Sequence, residues 1–173
     1  MATDIYFNIT NPNLSGESQD KDHSGWIEAT SFSHNIIQPK SATASTSGGH
    51  TAERAEHGDI TLNKVIDLVS PSLYQHSSGG TTFDNIAIEF FRADSNGQRV
   101  KYLDIQLKKA IISSVNYTVG DDEADNSSLP IETVTFSYAA IQWKYMQQKI
   151  GGGQGGTSQG AWSLTKNDKT FTI

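Results

Sequence analysis

The chain has 173 residues, 35% of them hydrophobic, a length that bounds it to one domain spanning 1–173 with a single sizeable core. A formal net charge of −6 argues against a phosphate-binding surface, because nucleic-acid affinity rests on clustered Lys and Arg, so no nucleic-acid partner is expected. The absence of cysteine removes disulfide frameworks, thiolate metal sites and cysteine nucleophiles. The opening MATDIYFNIT has neither a basic n-region nor an apolar h-region, and no stretch reaches the apolar length of a membrane span. Synthesis in the cytoplasm and no membrane insertion are the expectations.

Period-two alternation recurs along the chain far more often than helical period, which predicts a mainly all-β fold. Ile5, Phe7 and Ile9 alternate in a first strand, and Trp26, Glu28, Thr30, Phe32, His34 and Ile36 fall on one face of a second. From about 38 to 58 the sequence QPKSATASTSGGHTAERAEHG is polar and can bury almost nothing. A compact β domain seldom carries so long a connection unless it is functional, commonly by gripping another molecule. A short helix is predicted next, with Ser70 as N-cap, Pro71 at the first helical position and Gly79 or Gly80 ending it in a left-handed conformation. Leu73 would pack that helix on the sheet.

Ile86, Ile88 and Phe90 share a face, the turn Asp94, Ser95, Asn96, Gly97 follows, and Leu103, Ile105 and Leu107 form the partner strand of a hairpin. The same parity runs on through Ile111, Ser113, Val115 and Tyr117, with Lys109 marking an expected bend. In the last long strand Val134, Phe136, Tyr138 and Ala140 lie on one face but Ile141, Trp143 and Tyr145 on the other, which a bulge near Ala139 and Ala140 would reconcile. Gly151 to Gly156 read as a loop within the domain, and AWSL, the turn Lys166 to Asp168 and KTFTI as a terminal hairpin.

Candidate chemistry is sparse. His50, Glu53, Glu56 and His57 are zinc-ligand types without HExxH order and sit in the polar loop, so no metal is expected. Histidines, serines and aspartates are present, yet there is no GxSxG elbow, and neither a catalytic residue nor a cofactor is assigned. The glycine run lacks the Lys and Ser/Thr of a phosphate-binding loop, and the sequons at Asn8, Asn116 and Asn126 mean little without a secretion signal. Trp26, Trp143 and Trp162 leave open a carbohydrate-binding module, for which the discriminator is an exposed coplanar pair.

Gly16, Glu17, Ser18, Asp20, His23 and the Trp26 to Ile36 strand, then the polar loop, the Ser70, Pro71, Leu73 helix, the Ser77, Ser78, Gly79 ending, the Tyr102 to Leu107 strand and Ser113, Ser114, Val115 occur in an order that resembles the Hcp family, the tube proteins of bacterial type VI secretion systems. The resemblance covers essentially the whole chain. It implies a tight β-barrel of two antiparallel sheets with one short flanking helix, assembling as a homohexameric ring with a wide lumen. It also implies stacking of rings into a tube that a contracting sheath expels. By the same resemblance the partners are the sheath, the spike protein at the tube tip and small effectors in the lumen, and secretion needs no cleavable signal. The extended loop would reach the neighbouring ring, with Pro39, Lys40, Ser41, His50, Thr51, Glu53, Arg54, Glu56 and His57 as its contact residues. A contractile-phage tail-tube protein shares this architecture and remains the alternative beside the carbohydrate module. The chain's stop at Ile173 reads as a plain tube subunit without a toxin extension.

Overall fold

The computed structural model describes residues 3–39, 53–119 and 129–173. In chain order they form β1 (Thr3–Thr10), β2 (Ile27–Ala29), β3 (Ser31–Ser33), β4 (Ile36–Ile37), β5 (Glu56–His57), β6 (Ile60–Val65), α1 (Ser70–Gly79), β7 (Thr82–Ala93), β8 (Arg99–Thr118), β9 (Ile131–Ser137), β10 (Ala140–Gln148) and β11 (Gln154–Ser163). Nine strands make one antiparallel ladder system in the order β2-β1-β7-β8-β9-β6-β3, with the β10–β11 hairpin attached to β8. Only Thr30 separates β2 from β3, so the two ends of that order meet and the sheet closes on itself as a barrel. Thr30 turns the corner by donating its N–H and its hydroxyl to the Asn63 carbonyl at 2.7 and 3.1 Å.

The alternation in β1 places Ile5, Phe7 and Ile9 inward, opposite Phe90, Ile88 and Ile86 of β7. Leu62, Leu107, Val134, Phe136 and Ile141 fill the same core from the other ladders. Burying each such side chain stabilises the fold by about 1.5–3 kcal/mol. Several sequence expectations are corrected here. Trp26 to Ile36 is not one strand but three short ones, and its buried positions are Ile27 and Ala29, the opposite parity, because the barrel corner at Thr30 interrupts the run.

The second correction concerns β8. The parity set by Leu107 does not continue to Ile111 and Ser113, which are exposed, while Ala110 and Ile112 are buried. Lys109 bends the strand where expected, but it does so at φ +48°, and that left-handed residue exchanges the faces. β7 turns over with it, since Phe83 and Ile86 are both buried across from Ala110 and Leu107. Asp84 of β7 forms an ion pair with Lys109 at the turnover. Before this point β8 pairs with β10, and beyond it with β9.

Third, the long carboxy-terminal strand is two strands. Tyr138 and Ala139 break it, so that β9 closes the barrel against β6 while β10 leaves with β11. Gly151 to Gly153, all at positive φ, make the turn of the β10–β11 hairpin, whereas Gly155 and Gly156 of the expected 151–156 loop already belong to β11. The expected terminal hairpin is reduced to an isolated bridge between Ser163 and Asp168. Fourth, Ser70 is the first residue of α1 rather than its N-cap; its hydroxyl is buried beneath the helix. Pro71 occupies the first turn and Gly80, at φ 62°, ends the helix, while Leu73 is fully buried on the barrel.

Candidate self-assembly surface

The polar segment that leaves after β4 and returns at β5 is anchored by a small set of side chains. Ile36 pairs with His57 and Ile37 with Glu56, a two-residue ladder too short to hold itself in water. The Gly58 N–H donates to the Asn35 carbonyl at 3.0 Å. A Cβ at Gly58 would push the Asn35 amide aside and press on the Asn35 carbonyl oxygen at 3.3 Å, the acceptor of that bond. Gln38 Nε2 donates to the Glu53 carbonyl, and Arg54 Nη2 reaches across to the Leu164 carbonyl. Behind the ladder stands Tyr138, buried in the kink between β9 and β10, with its hydroxyl 2.7 Å from His34 Nε2 and 2.9 Å from His57 Nδ1.

Burial disfavours the charged form of all three rings. It lowers the pKa of His34, helped by the His57 charge and opposed by a hydrogen bond to the Gly58 backbone, and it lowers that of His57. Burial, and then the Asp59 carboxylate, push the Tyr138 phenol upward. Trp143 of β10 lies against both imidazoles, at 6.5 and 6.4 Å between centroids. In front of it opens a groove of about 570 Å3, walled by Ile36, Ala55, Trp143, Gly160 and Trp162 with Lys169 at its rim.

Beside this groove runs β11. One edge pairs with β10, and among the described residues no strand pairs with the other. From Gln154 to Ser163 it carries no charged residue and no proline, the devices by which proteins usually protect a free edge. Exposed apolar side chains add to this: Ile36 and Ile37 on β4, and Tyr117, Val119, Leu129 and Ile131 at the ends of β8 and β9. Backbone donors and acceptors along a bare edge, together with exposed apolar surface, suit protein contact.

Of the loop positions singled out by sequence, Lys40, Ser41, His50 and Thr51 lie outside the described residues. Pro39 is half-buried, Glu53, Arg54 and Glu56 are exposed, and His57 points inward to Tyr138. His34 and Tyr138 join His57 from sequence separations of 23 and 81 residues, and only the alternation of the second strand hinted at His34. Among the described residues no three His, Asp or Glu side chains converge as metal ligands. All three tryptophans are half-buried: Trp26 packs against the His23 ring at 4.8 Å, apart from Trp143 and Trp162, which wall the groove.

Two polar clusters are structural. His23 places Nδ1 2.7 Å from Asp20 and Nε2 2.9 Å from Glu89, and its ring stacks on Tyr6. Arg99 closes on Asp20 at 2.6 Å, and Lys101 on Glu89 at 2.9 Å. This cluster pins the loop from Gly16 to Trp26, whose residues carry much of the sequence resemblance, onto β1 and β7. Beneath α1, Lys64 donates to Glu132, Asp67 and Ser70, and Tyr74 donates to the other Glu132 oxygen at 2.6 Å.

The model of the family described as type VI secretion system effector, Hcp, matches residues 6–145. The chain belongs to the Hcp family. As an Hcp protein it is a secreted, structural tube protein of type VI secretion, with the mainly β, one-helix fold of that family. Among solved structures it is similar to a type six secretion system protein at 24% identity and TM-score 0.86, over 98% of this chain and 100% of that one. It is similar to Hcp1 from Salmonella typhimurium at 23% identity and TM-score 0.75, over 98% and 100% of the two chains. Hcp3 from Pseudomonas aeruginosa follows at 19% identity and TM-score 0.67, over 94% and 98%. No curated protein matches the chain. At these identities the structural likeness carries the Hcp fold, and the family match carries the membership.

Proposed function

We propose that this chain assembles into homohexameric rings that stack into an expelled tube, with the sheath, the tip spike and small effectors in the lumen as its partners. It is made in the cytoplasm and exported without a cleaved signal, and it performs no catalysis. The observation that carries this reading is the Hcp match across residues 6–145, and the bare β11 edge beside the loop root supports it. Where a serine, a lysine and a carboxylate do meet, at Ser70, Lys64 and Glu132, all three are fully buried, which leaves no access for a substrate.

The extended segment from about 38 to 58 is the contact between rings. Its small polar side chains adapt to a facing surface at modest energy, which suits a tube that must be built and later dismantled. Negative-stain electron microscopy with light scattering tests the assembly: six-fold rings with an open centre are expected, and a monomer at every concentration would overturn it. Replacing Ala42 to Thr51 with a short Gly-Ser turn should leave rings that stack poorly. Arg54→Glu should weaken stacking in a salt-dependent way, since an exposed pair contributes at most about 1 kcal/mol and is screened.

A further inference from the structure

We infer that His34, Tyr138 and His57 form an acid-sensitive clasp that fixes the root of the extended segment, so that ring stacking weakens as the pH falls below the histidine range. The stacking consequence rests on the contact role proposed above; the clasp itself rests on geometry. With both imidazoles neutral, one proton arrangement satisfies the hydroxyl fully: Tyr138 donates to His34 Nε2 at 2.7 Å, and His57 Nδ1 donates to the Tyr138 oxygen at 2.9 Å.

Protonating His34 alone reverses the chain: Nε2 donates to the Tyr138 oxygen, and the hydroxyl donates to His57 Nδ1 in its other neutral tautomer. A second proton, on His57, makes both facing nitrogens donors, so the Tyr138 hydroxyl proton loses its acceptor in the clasp, and it sets two like charges on rings 6.2 Å apart. The other ionisable groups around the clasp are few. Asp59 precedes β6 and accepts from Ser113 Oγ at 2.6 Å, Glu56 adjoins His57 on β5, and Lys169 stands at the groove rim. β10 contributes the Trp143 ring. The ladder of β4 and β5 has only two residue pairs, so losing Tyr138 leaves the Arg54 contact to the Leu164 carbonyl as its main polar tie to the barrel and loosens it.

The sign follows from burial. Both imidazoles are harder to protonate in the clasp than in an open chain, so the clasp is complete above the ordinary histidine value of about 6.5 and is lost as the pH falls below it. Hydrogen–deuterium exchange of the full chain, corrected for the intrinsic rate, reads this directly. The amides of Ile36, Ile37 and Glu56 to Gly58 should exchange about tenfold faster at about pH 5 than at about pH 8, while the β7–β8 amides keep their protection. Tyr138→Phe should expose the root amides at both pH values, and the double variant His34→Gln, His57→Gln should remove the pH dependence. Root protection that does not change with pH, or that falls in step with β7–β8, overturns the clasp. Micrographs of the same samples separate the two claims: absence of rings at about pH 8 defeats the assembly reading and leaves the exchange result standing, while stacks that persist at about pH 5 with root amides open defeat the link to stacking.

Discussion

Lys64 of β6 and Glu132 of β9 face each other across the ladder that closes the barrel, with Nζ 2.6 Å from the carboxylate and both side chains fully buried. The Val65 carbonyl, Asp67 and Ser70 share the two remaining ammonium protons, the Ser70 contact being the longest at 3.3 Å, and Tyr74 and Ser70 donate to Glu132. Removing one partner strands a buried charge. Glu132→Ala is expected to cost about 3–5 kcal/mol in urea unfolding, whereas Lys64→Met combined with Glu132→Leu should cost much less than the sum of the single changes.

Tyr74 gives an alkaline signature. Burial first, and then its hydrogen bond to Glu132, push its phenol up to about 12. A raised folded value contributes stability below the unfolded value near 10 that is lost as the pH climbs through about 12. Urea midpoints measured up that range should fall more steeply for the native chain than for Tyr74→Phe.

Asp20 gives the acid counterpart. Its hydrogen bond with Arg99, followed by those from His23 and the Asp22 backbone, holds the carboxyl well below the ordinary aspartate range. The stabilisation is therefore complete above about pH 4 and declines as the pH falls further toward the folded value. Asp20→Asn should be less stable at neutral pH and should show a flatter acid dependence than the native chain.

Gly16 is fixed by crowding. A Cβ there would meet the Trp26 carbonyl oxygen and lie 2.8 Å from the Ile27 Cα, both backbone atoms that cannot swing away. Gly16→Ala should cost about 1–3 kcal/mol and lower the thermal midpoint accordingly. The same change at Gly25, where nothing lies within 4 Å, tests backbone strain alone at φ +76°.

Local chemistry was legible in the sequence wherever it acts alone. Pro71 and Gly80 bounded the helix, and Asp94 to Gly97 made the β7–β8 turn, with Asp94 Oδ1 accepting from the Asn96 and Gln98 backbones at 2.8 and 2.7 Å. Lys109 announced a bend but not an exchange of faces, because no propensity favours a lysine at positive φ; the paired strand and the Asp84 contact hold it there. The break at Thr30 depends on the Asn63 carbonyl, and the Tyr138 meeting point spans 104 residues to His34. Such contacts exist only once the barrel has closed, and alternation along one segment carries no trace of them.

The two-way pairing of β8 sets the order in which this molecule can come into being. One edge of its 20 residues holds β7 and the other is divided between β10 and β9. β6, made long before, finds its second neighbour only in β9, and β1 waits for β7 some eighty positions later. A nascent chain emerging from the ribosome therefore has no stable resting form until residues through Ser137 are free of the exit tunnel. Until then one edge of β6 and one edge of β8 stand without the strands that close them, two long rows of backbone donors and acceptors open to a wrong partner.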